Sequence, residues 1–321
     1  MLLGVETGGT KILAVLAGRD GATLASGRWA TSTPQQARED LLAFVAAHCP
    51  VGQSISGIGI ASFGPLDLDR ASPNYGLMLA TPKPNWTGAN LRHDLVQALA
   101  RPALIETPAL IETPALIETP ALIETPALIE TPALIETDVN AAALAEQRSG
   151  AGQGARSLAY VTVGTGIGVG LAIDGVAFSG PRHPEMGHMP VVRASGDGRE
   201  SACPFHAQCL EGLAAGPALA KALAPGEMLS QRPDLFAAIA DYLGQLAATL
   251  ALAWSPDRIV WGGGIVTSTP GLLDAIDVAM RRHLGTYLSD WPSARAGFNR
   301  VADLSDAGLV GALALAASAA G

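Results

Sequence analysis

The same strand–turn–strand pattern occurs twice in the sequence, first in GVETGGTKILAVLAG and again in YVTVGTGIGVGLAIDG. The first pair of strands is expected at Met1–Glu6 and Lys11–Ala17, and the second at Leu158–Val163 and Val169–Ile173. Short Gly/Thr turns can present backbone N–H groups to an anion. The duplication predicts two similar lobes that face each other across a cleft and grip a phosphate chain from both sides. The turn residues are Gly8, Gly9, Thr10, Gly164, Thr165 and Gly166.

A perfect repeat lies between the two patterns, where residues 102–137 are six uninterrupted copies of Pro-Ala-Leu-Ile-Glu-Thr. Proline at every sixth position forbids a continuous α-helix. A period of six is found in β-helices, so the array would form about two coils. The alternative, which we favour, is a flexible or locally β-structured excursion. We interpret the array as the tandem expansion of one strand, Pro132–Thr137, with the other five copies leaving from its N-terminal end.

The last repeat copy leads directly into Asp138, which precedes an alanine-rich helical pattern. Asp138 therefore lies where a strand passes into a helix, close to the positive end of the helix dipole. In open α/β sheets, ligands bind at the carboxyl ends of strands. The alternative is that Asp138 serves only as an N-cap.

Two thiols and two imidazoles lie within 22 residues of one another: His188, Cys203, His206 and Cys209. This set matches the four ligands of a closed, tetrahedral Zn²⁺ site, so the metal is expected to be structural. Glu185 and Glu211 bracket the cluster, and either could hydrogen-bond to a polyol or be plain surface charge.

The strand pattern Arg258–Trp261 ends in Gly262, Gly263 and Gly264. Three glycines allow a ligand to lie against bare backbone, which suits an adenine or a phosphate group. The alternative is that the three glycines only form a tight turn, which would require the same residues. A further strand is expected at Ile55–Ala61. A helix is expected from Pro34 to about His48, with Thr33 as its N-cap and Gln36 closing a capping box. Further helices are expected over 90–100, 210–224, 233–254 and 270–284, and from Asp306 onward.

The composition limits the possible functions. A chain of 321 residues suits one large domain or two lobes. A net charge of −9 without basic clusters argues against nucleic acid. No uninterrupted apolar run reaches the roughly 18 residues of a membrane span, and the apolar stretch near 246–254 is expected to be a buried helix. The start of the chain and its three cysteines favour a reducing, cytoplasmic location.

Taken together, these segments resemble the ROK family of sugar kinases, in its branch of zinc-containing bacterial fructokinases. The similarity runs over almost the whole chain in family order. It rests on Glu6–Lys11, Ala61–Pro65, Thr81–Trp86, Thr137–Asn140, Gly164–Gly168, His183–His188, Cys203–Gly212 and Gly262–Gly264.

The resemblance implies an α/β, two-lobe, actin-like (ribonuclease H-like) ATPase fold carrying a hexapeptide-repeat insertion. Residues 1–137 would form the N-terminal lobe and 138–305 the C-terminal lobe, with the helix over 306–321 packing on the first. It also implies that Asp138 is the general base and that Glu185, His188 and Glu211 contact the sugar. ATP would be held by the glycine-rich segments and Lys11, with Mg²⁺ on the phosphates. A homodimer is expected as well.

Three features depart from the family pattern. Glu6 stands where many members carry Asp, which alters the reach to Mg²⁺. Thr137 stands where glucose- and mannosamine-type members often carry Asn, and the repeats have no family counterpart. Thr137 and the Cys-x2-His-x2-Cys cluster favour fructose, so the expected reaction is phosphorylation of fructose by ATP.

Three rival functions remain open on the sequence. The first is phosphorylation of glucose or an N-acetylhexosamine at the same site. The second is a repeat-bearing interaction protein with a secondary kinase core. The third is a transcriptional repressor, which we disfavour because the sequence shows no basic DNA-binding segment.

Overall fold

The computed structural model describes residues 1–81, 83–102, 128–178, 180, 182–288 and 297–321. Its first half is built on a mixed five-stranded sheet with the order β3-β2-β1-β4-β7. In this sheet β1, β4 and β7 are parallel, whereas β2 and β3 are antiparallel additions. The strands of this half are β1 (Leu2–Thr7), β2 (Lys11–Ala17), β3 (Thr23–Ala30), β4 (Gly57–Ser62), the short pair β5 (Arg101–Pro102) and β6 (Leu128–Ile129), and β7 (Ala133–Thr137).

The second sheet repeats this plan in the order β10-β9-β8-β11-β12. A hairpin of β8 and β9 is again followed by parallel strands beside β8, which confirms the duplicated pattern. The second turn is shorter than expected, because Ile167 and Gly168 already pair as strand residues. The strands are β8 (Ser157–Val163), β9 (Ile167–Ile173), β10 (Val176–Ala177), β11 (Arg258–Gly262) and β12 (Asn299–Val301).

Nine α-helices cover the two sheets in the described part of the chain. The helix expected over 210–224 is two helices, since Pro217 lacks the N–H that a continuous helix would donate to Leu213. The helices are α1 (Pro34–His48), α2 (Leu91–Ala98), α3 (Asp138–Ser149), α4 (Leu210–Ala214), α5 (Gly216–Ala222), α6 (Pro233–Trp254), α7 (Gly264–Ser268), α8 (Leu272–Leu284) and α9 (Ala307–Ala320).

Helix α1 begins as its sequence predicts, with one exception. Thr33 is the N-cap and accepts a hydrogen bond from the amide of Gln36 at 3.2 Å. The predicted capping box is wrong, because the Gln36 side chain donates to Asp40 instead.

Helix α6 is the one described helix that is long and apolar enough to cross a membrane, by length and composition alone. Its 22 residues contain a window of mean hydropathy 1.5, of which 67% is buried inside the fold. It packs against α8 in the hydrophobic core beside the second sheet. The apolar stretch near 246–254 is therefore part of a buried helix, as expected.

Helix α9 returns to the first sheet and crosses α3. A side chain at Gly59 of β4 would overlap the backbone carbonyl of Ala312, and one at Gly311 would overlap that of Ala141 in α3. The close approach of α9 to both elements therefore depends on glycine. Because α3 also packs against β8 and β9, it joins the two sheets. The boundary between lobes at 137/138 stays a prediction.

The last repeat copy forms strand β7, as expected. The short strands β5 and β6 pair antiparallel, with Arg101 opposite Ile129, so the chain leaves and returns at one place. Thr131 also donates a hydrogen bond to the Leu99 carbonyl at 2.8 Å. The remaining copies, and with them the question of solenoid or excursion, lie largely over 103–127, outside the described residues.

Candidate active site

Three parallel strands of the first sheet end at the same edge. Thr7 of β1 is opposite Ser62 of β4, which is opposite Thr137 of β7. The hydroxyl of Thr7 donates to that of Ser62 at 2.8 Å. The first glycine turn, the Phe63–Gly64 segment and Asp138 follow these three residues. Because neighbouring strands lie about 4.8 Å apart, these groups lie along about 10 Å of sheet edge.

Asp138 is the first residue of α3, and it is not the residue that caps the helix. The N-cap is Thr137, whose hydroxyl accepts from the amide of Asn140 at 3.2 Å. The Asp138 carboxylate accepts from its neighbour's amide, Val139 N, at 2.9 Å. The alternative role of Asp138 as only an N-cap is therefore wrong, and its carboxylate is available to a ligand.

The Asp138 side chain lines a cavity of about 330 Å³ between the two sheets, together with the second glycine turn. Burial raises the pKa of this carboxyl from 3.8 to about 6, with a smaller increase from the charge of Glu6. At neutral pH the group is still ionised, yet it is far more basic than an exposed aspartate. A carboxylate with these properties is suited to accept a proton from an alcohol. Other lining residues are Phe63, Gly64, Thr162, His183, Glu185 and Glu211.

Glu211 connects the second turn to the Cys/His cluster. Its Oε2 accepts from the amide of Ile167 at 2.9 Å, and its Oε1 lies 3.9 Å from Nε2 of His188. The other ring nitrogen of His188 faces the cluster. The two roles predicted for His188, towards a sugar and towards a metal, are therefore compatible, since each uses a different nitrogen.

The four expected zinc ligands lie together, with their ligand atoms within 4.8 Å of one another. The Cys203 sulfur is 3.7 Å from Nδ1 of His188 and 3.6 Å from Nδ1 of His206, and the Cys209 sulfur is 3.8 Å from Nδ1 of His188. Bonds of about 2.1 and 2.3 Å to a tetrahedral Zn²⁺ would separate N and S ligands by about 3.6 Å. The four residues therefore fit a zinc ion.

His183 also lies in the cavity, although no role was predicted for it. Its side chain is 9% exposed, and its Nε2 lies 3.5 Å from Oε1 of Glu185. That nitrogen makes no hydrogen bond to any described residue. Gly64 allows the close approach, since a side chain there would contact the imidazole. The glutamate itself is half exposed and faces the cavity.

A second, more apolar cavity of about 900 Å³ adjoins the second turn. Gly164 and Thr165 line both cavities, and Gly264 lines the second one. Packing requires glycine at the two preceding positions. A side chain at Gly262 would overlap Tyr160, and Gly263, at φ +83°, lies against the Val163 backbone. Of the three glycines, Gly264 is the one that lines this cavity.

Lys11 follows the first turn and lies beside two carboxylates. Its ammonium is 3.8 Å from the Asp306 carboxylate, and its charge acts on Glu6. Burial nevertheless raises the pKa of Glu6 above its ordinary value. One oxygen of Glu6, Oε2, is buried without a hydrogen-bond partner among the described residues. An orphaned carboxylate oxygen of this kind fits a divalent cation or its bound water.

The comparisons with known proteins agree with this geometry. The family model described as "ROK family" matches residues 2–115 and 120–319. The chain belongs to the ROK family. A fructokinase of Zymomonas mobilis is 34% identical to it over 98% of this chain and 96% of its own length.

Two solved ROK sugar-kinase structures share the fold over nearly their whole length. A ROK hexokinase from Thermus thermophilus is 30% identical, with a TM-score of 0.71, over 98% of this chain and 97% of its own. A ROK glucokinase from Streptomyces griseus, solved with glucose and AMPPNP, is 27% identical, with a TM-score of 0.67, over 99% of each chain. The α/β architecture with two mixed sheets is thus that of ROK sugar kinases.

Proposed function

We propose that this protein is an ATP-dependent hexose kinase that phosphorylates fructose on its 6-hydroxyl, with Asp138 as general base. The observation that carries the proposal is a basic, desolvated carboxylate that shares one cavity with the second glycine turn and Glu211. The similarity to the Zymomonas mobilis fructokinase supports fructose as the substrate.

In this reaction the 6-hydroxyl of the sugar attacks the γ-phosphorus of ATP while Asp138 accepts the hydroxyl proton. The bond from γ-phosphorus to the bridging oxygen breaks, and ADP leaves. Glu185, His188 and Glu211 hydrogen-bond to the sugar hydroxyls and orient the attacking oxygen. The amides of both turns and Lys11 face the phosphate oxygens, where donors of this kind stabilise the charge that develops.

The nucleotide would extend from the first turn across Gly164 and Thr165 into the apolar cavity beside Gly264, which is large enough for a nucleoside. Mg²⁺, when bound, would neutralise phosphate charge, and the orphaned oxygen of Glu6 would hold the ion or one of its waters. Zn²⁺ bound by His188, Cys203, His206 and Cys209 would be structural, because four protein ligands leave no open position.

A panel of sugars tests the proposal. Initial rates with Mg-ATP should give the highest kcat/KM for fructose, with glucose, mannose and N-acetylmannosamine at least tenfold lower. A preference for glucose would move the assignment to the glucokinase class, represented by the Streptomyces griseus relative. An absence of ATP turnover with every hexose would overturn the kinase proposal and leave the interaction protein as the alternative. The homodimer stays a prediction, which light scattering would test.

A further inference from the structure

Two side chains from outside the first glycine turn hold its carbonyl groups. The hydroxyl of Thr31 donates to the carbonyl of Gly8 at 2.7 Å, and the ammonium of Lys83 donates to the carbonyl of Gly9 at 2.6 Å. The amides of Gly9 and Thr10 donate no hydrogen bond within the described part of the chain. In the first turn, the carbonyl oxygens of Gly8 and Gly9 are therefore hydrogen-bonded, whereas the N–H groups of Gly9 and Thr10 have no partner among the described residues.

The direction of those two donors follows from the planarity of the peptide bond. In a trans peptide the carbonyl and the following N–H point in opposite directions. Both peptides are trans, since the cis bond recorded in the described residues is Gly64–Pro65. Holding the Gly8 carbonyl fixes the Gly9 amide on the opposite side, and holding the Gly9 carbonyl does the same for the Thr10 amide.

The segments that carry the two holding groups adjoin the side of the first sheet that α1 and α2 cover. Lys83 belongs to the same loop as Trp86. The Trp86 side chain is 1% exposed and lies in the hydrophobic core formed by the first sheet with α1 and α2. The Trp86 ring packs edge-on against Phe63 at 5.0 Å, and its Nε1 donates to the Ser32 carbonyl at 2.8 Å. The opposite face of the sheet carries α3 and α9, and Asp138 begins α3.

We propose that Thr31 and Lys83 are positioning residues that aim the Gly9 and Thr10 amides at the phosphate chain of the nucleotide. Their action is indirect, because each side chain bonds to a carbonyl, and the N–H group on the opposite side of the same peptide would contact the phosphate. The inference rests on the proposed function only in taking a nucleotide as the phosphate donor. It identifies two residues on separate segments that determine how strongly the first turn binds phosphate.

The test is direct binding of nucleotide to the full chain by calorimetry, with Mg-AMPPNP and AMP as the two probes. Thr31→Val keeps the shape of the side chain and removes its donor, and Lys83→Met removes the ammonium. Each should weaken Mg-AMPPNP binding about tenfold, since a hydrogen bond to a charged group is worth about one decade or more. AMP lacks the β- and γ-phosphates, so its affinity should stay within about twofold.

Conservative variants and matched controls separate this role from a general loss of structure. Thr31→Ser and Lys83→Arg retain a donor and should bind Mg-AMPPNP within about threefold of the wild type. Thr23→Val, at the exposed start of β3, and Lys221→Met, on the exposed face of α5, should bind both probes as the wild type does. Thermal melting of each variant should show an unchanged midpoint.

Two outcomes would overturn the inference. The first is a folded Thr31→Val protein that binds Mg-AMPPNP as tightly as the wild type. The second is an equal loss of AMP and Mg-AMPPNP affinity, which would indicate a structural role. The assay contains no sugar, so a chain that binds Mg-AMPPNP but phosphorylates no hexose would defeat the proposed function and leave this inference intact.

Discussion

Replacing Asp138 with asparagine tests the proton acceptor with the least structural change. The amide has nearly the same size as the carboxylate and retains an oxygen that can accept from the amide of Val139. It cannot accept the proton of a sugar hydroxyl. A positioned general base contributes about 10²–10⁴ in rate, so kcat should fall at least a hundredfold. The affinity for Mg-ATP should change less than about threefold, because both glycine turns are untouched.

The same substitution should lower kcat but raise the free energy of unfolding at high pH. Because the folded-state pKa of Asp138 is about 6, above its ordinary 3.8, folding favours the protonated form. The stability contributed by this group is complete below about pH 4 and is lost as the pH rises to about 6. At pH 8 the ionised carboxylate costs about 3 kcal/mol. Asparagine cannot ionise, so Asp138→Asn should unfold at higher denaturant than the wild type at pH 8, and the difference should vanish near pH 4.

The assay combines coupled ADP release at saturating sugar with urea unfolding at pH 4 and pH 8. Asp174→Asn is the matched control, since Asp174 is an exposed aspartate paired with Arg156. It should leave kcat unchanged. An Asp138→Asn protein with near-normal turnover would refute the assignment of the base. One that is less stable at pH 8 would refute the desolvation on which its pKa depends.

Three further predictions concern the pH dependence of Asp138, the Cys/His cluster and the repeat array. Wild-type kcat/KM for the sugar should fall tenfold per pH unit below about pH 6, and a flat profile down to pH 5 would contradict the pKa of Asp138. Metal analysis should find about one Zn per chain, lost in Cys203→Ser; a fully active, metal-free wild type would exclude the zinc site. Deleting residues 103–120, three repeat copies, should preserve kinase activity and the melting temperature, because it retains the β5–β6 pair and Thr131, where the chain leaves and returns; a loss of folding would show that the repeats are structural.

Sequence patterns predicted the central elements of both sheets because those strands are apolar and adjoin conspicuous glycine turns. Strand β3 was missed, since its residues alternate between exposed and half-buried at the sheet edge. Strand β12 has only three residues, which is too short for a periodic signal. Edge strands depend on their neighbour for pairing, and that information is not local in the sequence.

The sequence predicted which residues form the candidate site, but not which of them contact one another. Three consecutive glycines gave no means of telling that a side chain at Gly262 or Gly263 would overlap its neighbours, whereas Gly264 lines the apolar cavity. His183 was visible within a family motif, yet its orphaned nitrogen appears only when Gly64 is brought against it. Thr31 and Lys83 lie outside the turn they hold, 23 and 74 residues from their partners. No spacing rule connects such residues.

The two glycine turns look alike in sequence but are fixed by different means. The first has its carbonyls held by Thr31 and Lys83, both from the N-terminal part of the chain. The second has the Ile167 amide at its end held by Glu211, whose other oxygen faces His188 of the Cys/His cluster. A substitution that disturbs the Cys/His cluster should therefore affect Glu211 and the second turn while leaving the first turn unaffected. The duplication thus accounts for the placement of both turns, whereas their rigidity depends on residues that the two halves do not share.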